Sequence, residues 1–229
     1  MGIKNNIEKF TEELKPFHAR LIAVSKTHPV DKILEAYSSG QRIFGENKVQ
    51  EMVTKWEALP KDIEWHLIGH LQTNKVKFIV PFVSLIHSVD SQKLLEEINK
   101  QGKKINRKIN CLLQIYIAKE ETKFGFSEQE LMSLLDSAVL SRLDSVNVVG
   151  LMGMASLTSD ADQIRNEFGY LKNLFEKIKA RSHSGLSMEE ISMGMSSDYK
   201  LAMEKGSTMV RIGTAIFGDR DYDNTLKDA

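Results

Sequence analysis

Apolar residues along the chain cluster into short β-rich runs separated by longer stretches of helical period. The runs cover 21–24, 42–44, 63–68, 85–89, 109–117, 146–152, 190–193 and 209–217, giving eight candidate strands. After the first, Val30, Ile33, Leu34 and Tyr37 recur at i, i+3, i+4 and i+7, and Gly40 stands where a left-handed C-cap belongs. After the fourth, Ser91 is placed to cap a helix carrying Leu94, Leu95 and Ile98 and closed by Gly102. After the fifth, Ser127 and Glu130 have capping-box spacing ahead of Leu131, Leu134 and Leu135. After the sixth, Ile164, Phe168, Leu171, Leu174, Phe175 and Ile178 line one face of a long helix. After the seventh, Ser197 is placed to cap a short helix ending at Gly206, while the third crossover, 72–81, has room for only a short helix.

Strict alternation of strand and helix implies parallel strands, because a parallel pair needs a long crossover. Eight units at roughly 29 residues each fit an α/β protein built as a single (β/α)8 TIM-type barrel, with the opening MGIKNNIEKFTEEL as an extra N-terminal helix. An open doubly wound sheet is the alternative. No composition break or linker divides the chain, so one domain over 1–229 is expected.

Composition narrows the function classes. Hydrophobic residues at 41% supply a core, and 31 basic against 31 acidic residues leave no net charge. Phosphate neutralisation along a nucleic acid needs a basic excess, so no nucleic-acid partner is expected. The opening lacks a secretory signal, the longest apolar stretch is broken by Pro81 and Ser84, and Gly2 lacks the Ser or Thr at position 6 of a myristoylation pattern. A cytoplasmic protein without a membrane partner is expected. Cys111 lies in an apolar run and reads as a small buried hydrophobe. His66 and His70 have i, i+4 spacing, but their segment is strand-like and lacks the metalloprotease Glu, so no metal site is assigned.

A barrel keeps its chemistry at the C-terminal strand ends. Lys26 follows the first strand, where partial desolvation would favour a neutral, nucleophilic amine; alone, it reads more readily as a solvated surface residue. Glu46 and Asn47 follow Gly45 at the second strand end, and Asn47 suits a ligand contact or a helix cap equally. Residues 192–198 run from a strand into a helix N-terminus, and Gly213-Thr214 interrupts the last apolar run. The two together suit a phosphate cup better than plain turns. Arg211, flanked by Val210 and Ile212, needs a partner, either an ion pair or a polar ligand.

The blocks 23–27 (AVSKT), 44–47 (FGEN), 65–69 (WHLIG), 192–198 (SMGMSSD) and 206–218 (GSTMVRIGTAIFG), in order over nearly the whole chain, resemble the pyridoxal 5′-phosphate homeostasis proteins. That family is similar in fold to the N-terminal barrel of alanine racemase. The resemblance implies pyridoxal 5′-phosphate held as a Schiff base on Lys26. It further implies phosphate contacts from Ser196 and the backbone of Gly213 and Thr214, Arg211 facing the pyridine nitrogen, and Asn47 beside the ring. Lys123-Phe124-Gly125-Phe126 keeps the family's Lys-x-Gly-Phe pattern, whereas Tyr116 stands where many relatives have Asn. The chain ends shortly after Gly218, so the second domain of the racemases and its opposing tyrosine are expected to be absent, which favours a monomer.

On this basis the expected function is a non-catalytic carrier in vitamin B6 homeostasis, supplying apo-enzymes. Stereoinversion needs bases on both faces of a substrate carbon, and Lys26 is the only one the sequence nominates. A pyridoxal phosphate-dependent racemase or decarboxylase is the alternative, and a Schiff-base aldolase acting on a sugar phosphate is a third reading. With zero net charge, phosphate capture should depend on local donors rather than a global field.

Overall fold

The computed structural model describes residues 2–118, 125–181 and 185–219, and within them the strands close into a parallel barrel in the order β1 to β8. The strands are β1 Arg20–Val24, β2 Ile43–Glu46, β3 Glu64–Leu67, β4 Leu85–Val89, β5 Ile109–Ile115, β6 Val146–Gly153, β7 Leu186–Met195 and β8 Met209–Ile212. Between them lie α2 Val30–Ser38, α3 Val49–Ala58, α4 Val76–Ile79, α5 Gln92–Lys104, α6 Glu128–Asp136, α7 Ala161–Lys179 and α8 Tyr199–Glu204, with α1 Ile3–Leu14 in front and α9 Thr214–Phe217 behind. The alternation of strand and helix leaves a closed barrel as the observed architecture, and an open sheet is ruled out by the β1–β8 pairing.

Side chains alternate across each strand, which separates two apolar layers. Ile22, Leu85, Leu112, Met152 and Met209 point inward and pack on one another. Ala23, Phe44, Trp65, Leu67, Ile86, Cys111, Leu113, Leu151, Ile191, Val210 and Ile212 point outward into the layer shared with the helices. The buried stripe of α7, Ile164 through Ile178, seats against that layer. Ser127 and Glu130 form the capping box expected of α6, and Ser91 accepts from the Leu94 N–H at the start of α5.

Several local expectations are corrected. The apolar run 209–217 is not one strand: β8 stops at Ile212, and Thr214–Phe217 turn into α9, burying Ile216 and Phe217. Gly102 lies inside α5 rather than closing it; a Cβ there would stand 2.7 Å from Arg107 O, so it lets the following chain pack close. Asp198, not Ser197, occupies the N-cap of α8, and Lys48, not Asn47, that of α3. Gly40 takes the expected left-handed backbone at φ 95°, and Gly206, just after α8, is also left-handed at φ 83°. Lys123 and Phe124 lie outside the described residues. Among the described residues no helix is long and apolar enough to cross a membrane.

Candidate functional site

Closure of the barrel brings the ends of β1, β2, β7 and β8 to one rim, around a cavity of about 450 Å³. Lys26, Asn47, Ser196, Arg211, Gly213 and Thr214 all line it. Val24, Ile68 and Met195 supply apolar wall, and Met154 and the fully exposed tip of Leu157 border the mouth. Tyr116 is not part of this lining; its N–H donates to Phe126 O at 3.0 Å.

Each polar group is fixed by its own element. Asn47 is held from behind by Gly69, where a Cβ would stand 2.5 Å from Asn47 O and 2.7 Å from its Cα; only glycine permits that approach. Ser196 follows Gly194, whose left-handed φ of 93° turns β7 toward α8, and the Asp198 carboxylate accepts from the Met195 N–H at 2.6 Å. Gly213 and Thr214 form the junction of β8 and α9, where the first N–H groups of a helix have no acceptor within it. Lys26 sits in the turn after β1, next to Thr27 at φ 67° and two residues before His28, whose ring packs at a tilt of 31° on Phe217 with centroids 5.0 Å apart.

Arg211 reaches the cavity from inside the barrel. It is 4% exposed, and burial pushes its guanidinium down to about 10, with Asp198 pulling the other way. Nη1 donates to Ser192 Oγ at 2.6 Å and Nη2 to Gly153 O at 3.1 Å. Ser192 Oγ also lies 2.9 Å from His87 Nδ1, and His87 Nε2 lies 3.0 Å from His66 Nδ1. A guanidinium has no acceptor, so Ser192 Oγ accepts a hydrogen bond from Arg211 and uses its remaining capacity toward His87 Nδ1. The ring tautomers set the direction of the two histidine hydrogen bonds. Burial holds both imidazoles neutral, taking His66 down to about 3 and His87 well below its ordinary value, with His66, Arg211 and Arg20 adding to the latter. His70 takes no part in this chain; its Nδ1 lies 3.1 Å from Asp90. Among the described residues no three potential ligands cluster to hold a metal.

Beneath Lys26 lies a second buried polar cluster. Glu46 Oε1 accepts from Ser25 Oγ at 2.6 Å and from Lys55 Nζ at 2.8 Å, while Oε2 has no hydrogen-bond partner. Burial pushes this carboxyl up to about 7, against the pull of Lys55 and with a further push from Glu51. Cys111 is buried as expected, and burial raises its thiol further from ionisation.

Sequence reasoning did not single out Ser192, His87, Lys55 or Glu51. His87 and Ser192 carried a visible signal, as polar residues in otherwise apolar strands. Lys55 and Glu51 showed only i, i+4 spacing, which is the ordinary signature of a solvated helix face.

Comparisons with known proteins bear on fold and family. A family model described as alanine racemase, N-terminal domain, matches residues 2–221. The pyridoxal phosphate homeostasis protein of Aquifex aeolicus is 40% identical over 205 residues, covering 89% of this chain and 88% of that one. Its human namesake is 37% identical over 230 residues, covering 96% and 83%. The solved structure of PipY from Synechococcus elongatus with pyridoxal phosphate bound matches with a TM-score of 0.85 at 37% identity, covering 94% of this chain and all of that one. Alanine racemase from Streptomyces coelicolor, at 16% identity and a TM-score of 0.76 over 94% of this chain and 57% of that one, shares the fold. Fold and family match thus define a barrel of the alanine racemase N-terminal-domain class. Within that class, the chain belongs to the family of pyridoxal phosphate homeostasis proteins.

The neutral histidine pair makes stability depend on pH. The unfolded chain binds protons below about pH 6.5 that the fold refuses, so the stability held by the pair is present above that value and lost as pH falls toward about 3. Glu46, raised to about 7, acts in the opposite sense over this range but is common to both proteins, so in thermal melts from roughly pH 7 down to roughly pH 5 the Tm of the wild type should fall relative to that of the His66→Gln/His87→Gln variant. Equal pH slopes for the two proteins would show that other groups are responsible.

Proposed function

We propose that this chain is a one-barrel carrier of pyridoxal 5′-phosphate: it takes the cofactor onto Lys26, keeps the reactive aldehyde out of solution, and gives it up to apo-enzymes that need it. The observation that carries this reading is the convergence on one cavity of a lysine amine, a buried cation and two strand-to-helix turns. That donor set fits the cofactor group by group. When bound, the cofactor supplies an electrophilic aldehyde that an amine takes up reversibly.

The chain's own residues divide the work. Lys26 presents the amine. Ser196 Oγ and the N–H groups of Gly213 and Thr214 are the donors for a phosphate, the last two helped by the start of α9. Asn47, braced by Gly69, would contact the ring. Arg211 stays cationic at neutral pH, and beside a bound ring nitrogen it would disfavour a second positive charge there and so leave the ring a weaker electron sink. That electrostatic choice suits storage better than carbanion chemistry. The names of the relatives and the cofactor bound in PipY support the same reading. His28 adds a titratable group to the cavity, but it comes from the same loop as Lys26, whereas stereoinversion requires two bases on opposite faces of the substrate carbon.

Adding pyridoxal 5′-phosphate to the purified protein should produce a visible absorption band, and Lys26→Ala should abolish it with little change in the melt of the cofactor-free protein. A collapsed melt for that variant would make Lys26 structural instead. Solvent-deuterium exchange at Cα of added amino acids should be absent; exchange would assign the racemase or decarboxylase alternative. For the phosphate, Ser196→Ala should weaken binding of pyridoxal 5′-phosphate by about tenfold, the worth of one charge-assisted hydrogen bond, and leave pyridoxal binding unchanged. Equal losses for both ligands would remove Ser196 from the phosphate site.

A further inference from the structure

The turn that carries Lys26 is tied on both sides to a cluster built around one buried cation on a neighbouring helix. Lys55, on α3, has a side chain only 6% exposed, and its ammonium donates to Ser25 O at 2.7 Å, Glu46 Oε1 at 2.8 Å and Glu51 Oε1 at 2.6 Å. Three hydrogens meet three acceptors, so the ammonium is fully used. The same carboxylates hold the turn a second time: Ser25 Oγ donates to Glu46 Oε1 at 2.6 Å, and the Thr27 N–H donates to Glu51 Oε1 at 2.5 Å. The residues immediately before and after Lys26 therefore rest on one Lys55–Glu46–Glu51 cluster.

Stability alone gives little reason for such a cluster. Taking a lysine and two carboxylates out of water carries a desolvation cost that an apolar trio would avoid, and Glu46 Oε2 is left without a partner. What the cluster provides is placement. It fixes a turn in which Thr27 adopts a left-handed φ of 67°, a conformation disfavoured for a β-branched residue. None of the three residues lines the cavity, so they act through the backbone of the turn rather than on a ligand.

We propose that Lys55, Glu46 and Glu51 are positioning residues that hold the Lys26 amine where it takes up an aldehyde. The proposal rests on the carrier reading above. In the step they serve, the neutral Lys26 nitrogen forms a C=N bond to the aldehyde carbon, and the carbonyl oxygen leaves as water with the two amine hydrogens; no oxidant or reductant is consumed. Loss of the cluster slows that step while the donors for ring and phosphate stay in place.

The test compares the wild type with Glu51→Leu, Glu51→Gln and Lys55→Met by two readouts. The first is the rate at which the visible band forms with saturating pyridoxal 5′-phosphate. The second is the affinity for pyridoxine 5′-phosphate, which has an alcohol in place of the aldehyde and binds only non-covalently. Glu51→Leu and Lys55→Met should slow band formation about tenfold or more, the scale of a misplaced reactive group, with analogue affinity changed by less than about threefold. Glu51→Gln keeps an acceptor for the Thr27 N–H and should recover a rate within about threefold of wild type. An unchanged rate in Glu51→Leu, or a parallel loss of rate and analogue affinity, overturns the positioning role. Glu51 is 23% exposed, so its variants decide the matter even where Lys55→Met fails to fold. A wild-type protein that forms no band overturns the carrier reading itself, and this inference with it, before any variant is measured.

Discussion

Everything at the rim depends on how the barrel closes. The first and last strands pair in parallel, with Leu21 beside Val210, Ile22 beside Arg211 and Ala23 beside Ile212. Because side chains alternate along a strand, this register turns Arg211 inward with Ile22 and sends Val210 and Ile212 out to the helices. A slip of one residue would drive the guanidinium into the apolar layer and open the cavity floor. The same register sets Gly213 against the end of β1, where a Cβ on it would stand 3.2 Å from Val24 O. Closure thus brings an amine from near the start of the chain beside donors from near its end.

Two buried polar clusters sit below the rim, one under each charged group of the site. Under Arg211, Ser192, His87 and His66 form a hydrogen-bonded chain, so the cation stands in the barrel interior against polar neighbours. Under Lys26, Glu46, Glu51 and Lys55 grip the backbone of the turn. A barrel interior filled with aliphatic side chains would fold as readily. The polar filling suggests a molecule whose strand ends have been shaped for orientation, with stiff scaffolding behind flexible side chains.

The barrel was legible because its signals are long and repeated. Eight apolar runs, the stripe of α7 and the capping box of α6 each point to the same alternation, and parallel strands follow from crossover length alone. Errors came where a few residues had to decide between states. Thr214–Phe217 is as apolar as a strand because it is a buried helical turn, and four residues are too few for periodicity to tell the two apart. Gly102 looked like a helix stop because close packing against Arg107 leaves no trace in the local sequence. Of the site, the two turns were legible as polar or small residues at strand ends; the roles given to Lys26, Asn47 and Arg211 leaned on family resemblance. Lys55 was hidden for a tertiary reason. Two of its partners, Ser25 and Glu46, belong to other parts of the chain, and a lysine four residues after a glutamate on a helix ordinarily faces water.

The central claim is that Lys26 is the point of covalent attachment for pyridoxal 5′-phosphate. Borohydride reduction of the cofactor-loaded protein, followed by peptide mass mapping, reads this directly. The account predicts a pyridoxyl adduct on the peptide that contains Lys26 and on no other. A coloured protein whose Lys26 peptide is recovered unmodified, with the adduct on another lysine, would contradict it.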